Sequence, residues 1–223
     1  QEKMAAFHAR ATRILQQPAS GFYEAAREYL GGLRGYDNWD QLGLQGIADV
    51  IARLDERGNA QLVARAIGQL PVPPLEAVCA NLEHEVPDHG ITVAIEQRLQ
   101  QALQDPQSSP NTIGALLRGI SLCHDIKLRQ QTMKTVLDSR FGSEIEVLAA
   151  VASRSWKDLE DRQLRQHFMD KLAINSAGQQ SFNLMIRDLL FIPGMRPFIM
   201  ESFRDPERSE DLGRAIGAFF QGG

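Results

Sequence analysis

Pro73-Pro74-Leu75-Glu76-Ala77-Val78-Cys79-Ala80-Asn81-Leu82, closed by Val86-Pro87-Asp88, is the stretch whose reading decides the fold. Apolar side chains at 75, 78, 79 and 82 form one stripe on a 3.6-residue helix. Pro74 suits a first turn, where its missing N–H leaves no bond unmade. Past the break, Ile91, Ala94, Ile95, Leu99 and Leu103 predict the inward side of a second helix. The plan then recurs. Ser109-Pro110 opens a stripe at Ile113, Leu116, Leu117 and Ile120, and Asp125 precedes a helix carrying Leu128, Met133, Val136 and Leu137. Gly142-Ser143 opens a third stripe at Ile145, Leu148, Ala149 and Ala152, and Asp158 precedes Leu159, Leu164, Phe168 and Leu172. Starts at Pro73, Ser109 and Gly142 set a period of about 33 to 36 residues, within the range of helical-hairpin repeats.

Each hairpin has an apolar face that it cannot bury alone, and stacking neighbours would bury it. An irregular helical bundle with evenly spaced loops is the competing arrangement. The expected fold is all-α: antiparallel helix-hairpin repeats stacked as a short right-handed α-solenoid, with helical caps at both ends. One domain is expected over 1–223, divided into N-terminal helices (1–38), the array (39–174) and a C-terminal cap (175–223).

The array resembles HEAT-like helical repeats. Those repeats place Asp in the turn, then an apolar residue and Arg in the second helix. Asp125-Ile126-Lys127-Leu128-Arg129 fits that pattern, and Asp158-Leu159-Glu160-Asp161-Arg162 fits it at the Asp and the Arg; Asp88 has Thr92 where the Arg would stand. The resemblance covers under half of the chain. It implies that the Asp caps the second helix and that the Arg pairs with an Asp of the next unit. The tetratricopeptide pattern fits less well, because its Trp-Leu-Gly-Tyr signature is missing from these units. The stretch from Phe7 to Asp55, with Gly21-Phe22-Tyr23 and Asp37-Asn38-Trp39-Asp40, resembles an uncharacterised family of bacterial proteins of unknown function. That resemblance implies no activity.

Before the array, residues 3–16 read as a helix with Met4, Phe7, Ala11, Ile14 and Leu15 on its apolar side. Ser20 is the expected N-cap of a helix from Phe22 to Leu30, closed by Gly31-Gly32. A long helix is expected over 40–56, with Gly43 and Gly46 inside it. Each such glycine costs about 1 kcal/mol against alanine, which a close helix approach would offset. After Ile174, Asn175-Ser176 is the expected cap of a helix through Leu190, followed by shorter apolar helices separated by Pro193-Gly194 and Asp205-Pro206. This region reads as a terminal cap or as an apolar docking surface.

The chain of 223 residues is 43 % hydrophobic and 23 % charged, with a net charge of −4. Whole-molecule attraction to nucleic acid or to an anionic membrane is therefore not expected. Charge is uneven: residues 39–105 carry a net −6, and residues 109–174 a net +2. Cys79 and Cys123 fall on apolar helical positions and read as buried free thiols of a reducing compartment. Residues 1–17 lack a leader pattern and no stretch reaches the roughly twenty apolar residues of a spanning helix, so a cytoplasmic location is expected.

The most distinctive loop is Gly35-Tyr36-Asp37-Asn38-Trp39-Asp40. It reads either as a recognition loop bearing Tyr36, Asp37 and Trp39, or as a packing plug in which Trp39 fills a join and Asp37 or Asn38 caps the next helix. The second helices would offer Arg98, Arg129, Lys134, Arg162, Arg165 and Lys171 to a concave groove, with Arg129, Arg162 and Arg165 the binding candidates. His84, His89, His124 and Cys123 lie near intra-repeat turns. A metal site needs three or four ligands converging at about 2 Å, and this spacing matches no tight motif, so no metal or cofactor is expected. There is no Gly-rich phosphate loop, Gly-x-Ser-x-Gly or His-Glu-x-x-His, and no catalytic residue is assigned. The expected function is a protein-interaction scaffold that binds another protein or a peptide through the groove. The alternative is a nucleic-acid-binding or processing protein that uses the same arginines.

Overall fold

The computed structural model describes residues 2–33 and 35–221. Among these the chain is all-α, with no strand. The helices are α1 (Glu2–Ile14), α2 (Tyr23–Leu30), α3 (Leu44–Ile51), α4 (Asn59–Ile67), α5 (Val72–Leu82), α6 (His89–Gln104), α7 (Pro110–Gly119), α8 (Ile126–Leu137), α9 (Ile145–Arg154), α10 (Arg162–Ala173), α11 (Gln179–Phe191), α12 (Arg196–Arg204) and α13 (Glu210–Gln221). Short 3-10 turns occupy Trp39–Gln41 and Trp156–Glu160.

The chain divides into two compact units. The first takes the residues up to Pro106 together with Arg118–His124, and the second takes Gln107–Leu117 and the residues from Asp125 onward. The boundary falls within α7.

In the first unit α3 packs against α1 and α5, and α4 packs against α2 and α6. The buried stripe Leu75, Val78, Cys79 and Leu82 is the one the sequence pattern marks. Asp88 caps α6, accepting from the Ile91 N–H at 2.8 Å. The long helix expected over 40–56 is shorter: the 3-10 turn at Trp39 comes first, and α3 starts only after Gly43, its N-cap. Gly46 has a steric reason. A Cβ there would lie 2.5 Å from the Phe22 carbonyl oxygen and 2.9 Å from the Ala26 Cβ, so α2 and α3 approach over a missing side chain. Ser20 does not cap α2. Phe22 occupies the N-cap position; the Ser20 Oγ accepts from the Phe22 N–H at 3.3 Å in the turn before the helix, and the Ser20 N–H donates to the buried carboxylate of Asp49 at 3.0 Å.

Polar groups tie this unit from within. Asp49 pairs with Arg53 at 3.3 Å, and Arg53 also donates to Thr12 Oγ1 and the Gln17 carbonyl. The fully buried Asn59 donates to the Tyr23 hydroxyl and the Arg53 carbonyl, and accepts from Arg27 Nε at 2.8 Å. A buried polar group is tolerated when its bonds are made, and here they are made across helices.

In the second unit α10 packs against α8, α9, α12 and α13, and α11 packs against α9, α12 and α13. Asp125 caps α8 by accepting from the Leu128 N–H at 3.0 Å. The cap of α10 is Asp161, which accepts from the Leu164 N–H at 2.8 Å, and not Asp158 as the spacing predicts. Asp158 sits one turn earlier, buried in the 3-10 segment. The stripe of α9 is also turned from expectation. Leu148 and Ala152 of the expected stripe are buried, but with Val147, Ala150 and Val151 beside them, while Ala149 is exposed and Ile145 half-buried. In α11 the N-cap is Gly178, at φ +81°, and Asn175 instead closes the preceding turn with bonds to Leu172 and Gly178 carbonyls.

Candidate binding surfaces

The six residues that the sequence marks for binding fall in both units, and most of them are occupied in holding their own unit together. In the first unit Tyr29 and Tyr36 lock the loop after α2. The Tyr29 hydroxyl donates to the Tyr36 carbonyl at 2.9 Å, the Tyr36 hydroxyl donates to the Leu30 carbonyl at 3.3 Å, and the rings meet edge to face at 5.5 Å. Burial pushes the Tyr29 phenol up to about 12, and pushes Tyr36 in the same direction. Both stay neutral donors at any physiological pH. Asp37 is exposed, and Trp39 begins its 3-10 turn 39 % exposed. Asn38 stands at the N-cap of that turn and makes no side-chain cap bond.

In the second unit Arg129 grips Asp158 with two parallel bonds, Nε to Oδ2 at 3.0 Å and Nη2 to Oδ1 at 2.8 Å. The fork fills both carboxylate oxygens, the strong bidentate arrangement. Arg162 reaches Asp205 at 2.9 Å, which holds the Asp205 carboxyl below its usual range. Arg165 is 1 % exposed. It donates to Ser202 Oγ, to the Leu159 and Glu160 carbonyls and to Glu201 Oε2 at 2.6 Å. Of the other bases assigned to a groove, Arg98 donates to the Gly68 and Leu70 carbonyls. These guanidinium groups act as ties between segments of one unit.

His84 lies beside Glu83 at 3.3 Å, while His89 and His124 are exposed. Among the described residues no three His, Cys, Asp or Glu side chains are grouped to hold a metal ion. Both thiols are buried and unpaired with each other, and burial pushes Cys79 up to about 12, out of the nucleophilic range.

Two concave features remain. The first unit has a cavity of about 610 Å³ whose lining includes Arg13, Ser20, Tyr23, Glu24, Arg53 and Arg57. Its arginines are matched within the unit: Arg57 pairs with Glu24, Arg53 with Asp49 and Arg13 with Asp55. The second unit has a groove of about 360 Å³ between α9 and α11. Ile145, Ala149, Ala152 and Ser153 form one wall, and Leu184, Met185 and Ile192 the other, with Asp188 the single charged group. This groove exists because α9 is turned. With Val147 and Val151 buried, the exposed small residues Ala149 and Ser153 line the groove, and the buried Ala152 forms part of its wall. The spacing of small residues at 149, 152 and 153 is the signal that marks it in the sequence.

Along the chain, residues 1–220 match the family model described as "Protein of unknown function (DUF3549)". The chain belongs to this family. No curated protein and no solved structure matches it. The match covers residues of both units and not the Phe7–Asp55 portion alone.

Proposed function

We propose that this protein is a protein-binding scaffold whose hairpins are HEAT-like repeats, each unit a short right-handed solenoid segment, acting together as one domain over 1–223. The repeat reading is supported by Asp88 and Asp125 at the caps of second helices and by Arg129 reaching the Asp158 of the following hairpin. Within the first unit, first helices neighbour first helices and second helices neighbour second helices.

The observation that carries the scaffold reading is the apolar α9–α11 groove. Its volume takes about two or three large apolar side chains, and its lining offers no nucleophile–base pair. The occupant it fits is a peptide segment of a partner protein with spaced apolar side chains and one base placed to meet Asp188. Hydrophobic grooves between helices serve this kind of recognition. The nucleic-acid reading has less support, because Arg129 and Arg165 spend most of their donors on partners in their own unit and have few left for phosphate, while Arg162, more exposed, is already neutralised by Asp205.

The test is a peptide selected from a random displayed library on the intact protein. Selected sequences should be apolar with a Lys or Arg, and their affinity should fall about tenfold or more on Ala149→Arg or Leu184→Lys, both at exposed groove positions. Selected peptides indifferent to both substitutions would refute the groove. Binding of a duplex or a single strand that strengthens steeply as salt is lowered would favour the nucleic-acid alternative.

A further inference from the structure

Helix α1 is packed against its own apolar pattern. Its contact side is alanine: Ala5 and Ala9 meet Ala48 and Ala52 of α3. The large apolar residues point the other way. Phe7 is 64 % exposed and Ile14 77 %, and Met4 and Leu15 are also more than half exposed. Positions 4, 7, 11 and 14 alternate in steps of three and four, the spacing of a helix–helix seam. The alanine contact explains the inversion. Two helices joined through methyl groups approach closely, and residues on the far side of the helix then have nothing of their own unit to cover them. Four such side chains along about 17 Å of one helix are a contiguous apolar face, not scattered surface residues.

The flanks say what covers it. Residues 2–15 include Lys3, His8, Arg10 and Arg13 and a single acid, Glu2, at the start of the helix. Arg10 is bridged to Glu85 at 3.1 Å and Arg13 to Asp55 at 2.8 Å, so both lean toward the body of the unit. Lys3 and His8 are left at the two edges of the seam, both exposed. A second copy of this helix would bring no acid beyond Glu2, at its start, to face Lys3 and His8, so it supplies these edges with little complementary charge. An anionic bilayer would meet at these edges one lysine and one histidine, fewer than the clusters of four to eight Lys or Arg that hold a segment to lipid, on a chain of net charge −4.

We infer that the exposed face of α1 is a docking seam for an amphipathic helix of a partner protein, apolar on one stripe and acidic along its edges. The seam lies in the first unit and uses none of the residues of the α9–α11 groove, so either site can fail without the other.

The probe is a pair of fluorescein-labelled designed peptides of about five turns, long enough to be helical when docked. Both carry the same leucine–isoleucine stripe, one with glutamate edges and one with lysine edges, and both are titrated into the whole protein by anisotropy. The glutamate peptide is expected to bind about tenfold tighter or better, with the gap narrowing as salt rises. Phe7→Gln with Ile14→Gln should weaken it about tenfold or more while leaving the melting curve in place, because both side chains are exposed. Lys3→Glu with His8→Glu should invert the order of the two peptides, and this pair leaves the apolar stripe intact should the first pair disturb folding. Equal affinity for the two peptides overturns the inference. So does a dimer, seen by light scattering, that dissociates on the Phe7 and Ile14 substitutions. So does sedimentation with phosphatidylcholine–phosphatidylglycerol vesicles that those substitutions abolish.

Discussion

Arg165 spends every arm of its guanidinium inside the second unit: on a serine hydroxyl, two carbonyls and the Glu201 carboxylate. Lysine keeps the charge but has three donors at a single point, and cannot span those partners. Arg165→Lys should therefore destabilise by about 2–4 kcal/mol, read from the urea midpoint. His167 makes a second prediction. Burial lowers its pKa, outweighing the Asp138 carboxylate 3.2 Å away. In the unfolded chain the ring titrates near about 6.5. As pH falls through that value the unfolded state gains a proton that the folded state refuses. The stabilisation is thus present above it and declines below. The urea midpoint of the wild type should drop more between about pH 7 and 5 than that of His167→Gln; parallel curves would show that the ring is not held neutral. Neither role is legible in the sequence. Arg165 looks like any base on a polar helix face, and only the arrival of α12 shows that it is enclosed.

At the scale of helices, periodicity is informative where both faces of a helix have neighbours. The stripes of α5 and α7 are buried as read. In α9 the same 0, 3, 4, 7 spacing misleads at its first and third positions, because valine at 147 and 151 takes the core ahead of Ala149 and removes more apolar area from water. In α1 the large apolar residues do share one side, as the spacing marks, but that side is exposed, and the matched alanines at 5, 9, 48 and 52 set the contact. The paired four-residue spacing of those alanines was the available signal. Gly46 tests the close approach of α2 and α3. Alanine in a helix is favoured over glycine by about 1 kcal/mol. The added methyl, however, would fall 2.5 Å from a backbone carbonyl that cannot rotate away. Overpacking of that kind costs about 1–3 kcal/mol, so Gly46→Ala should lower the melting temperature despite its better propensity. A rise would mean that α2 yields easily. Between hairpins, the Arg129–Asp158 fork makes a parallel case. Asp158→Asn retains the shape and removes the charge, and should lose about 2 kcal/mol by chemical denaturation.

Across the whole chain, the division into units does not follow chain order. Residues 107–117 belong with the later helices, while 118–124 return to the earlier ones. Gly119 shows what the returning segment covers: a Cβ there would meet Ile95 and Cys79 at 3.2 and 3.3 Å. A fragment ending at Pro106 should therefore expose that apolar surface, and should melt at lower temperature and aggregate more than a fragment ending at His124. Equal behaviour of the two would mean that the segment is dispensable. Nothing in the hydropathy of 107–124 announces this weave, since a helix interior shared by two cores looks like any other amphipathic helix. It also bears on how the protein is made. A ribosome that has released residue 106 has not yet delivered the piece that finishes the first half. At about 5–20 residues per second, the nascent chain carries an uncovered patch around Cys79 and Ile95 until His124 emerges, and a chaperone that grips short apolar segments has its opening in that interval.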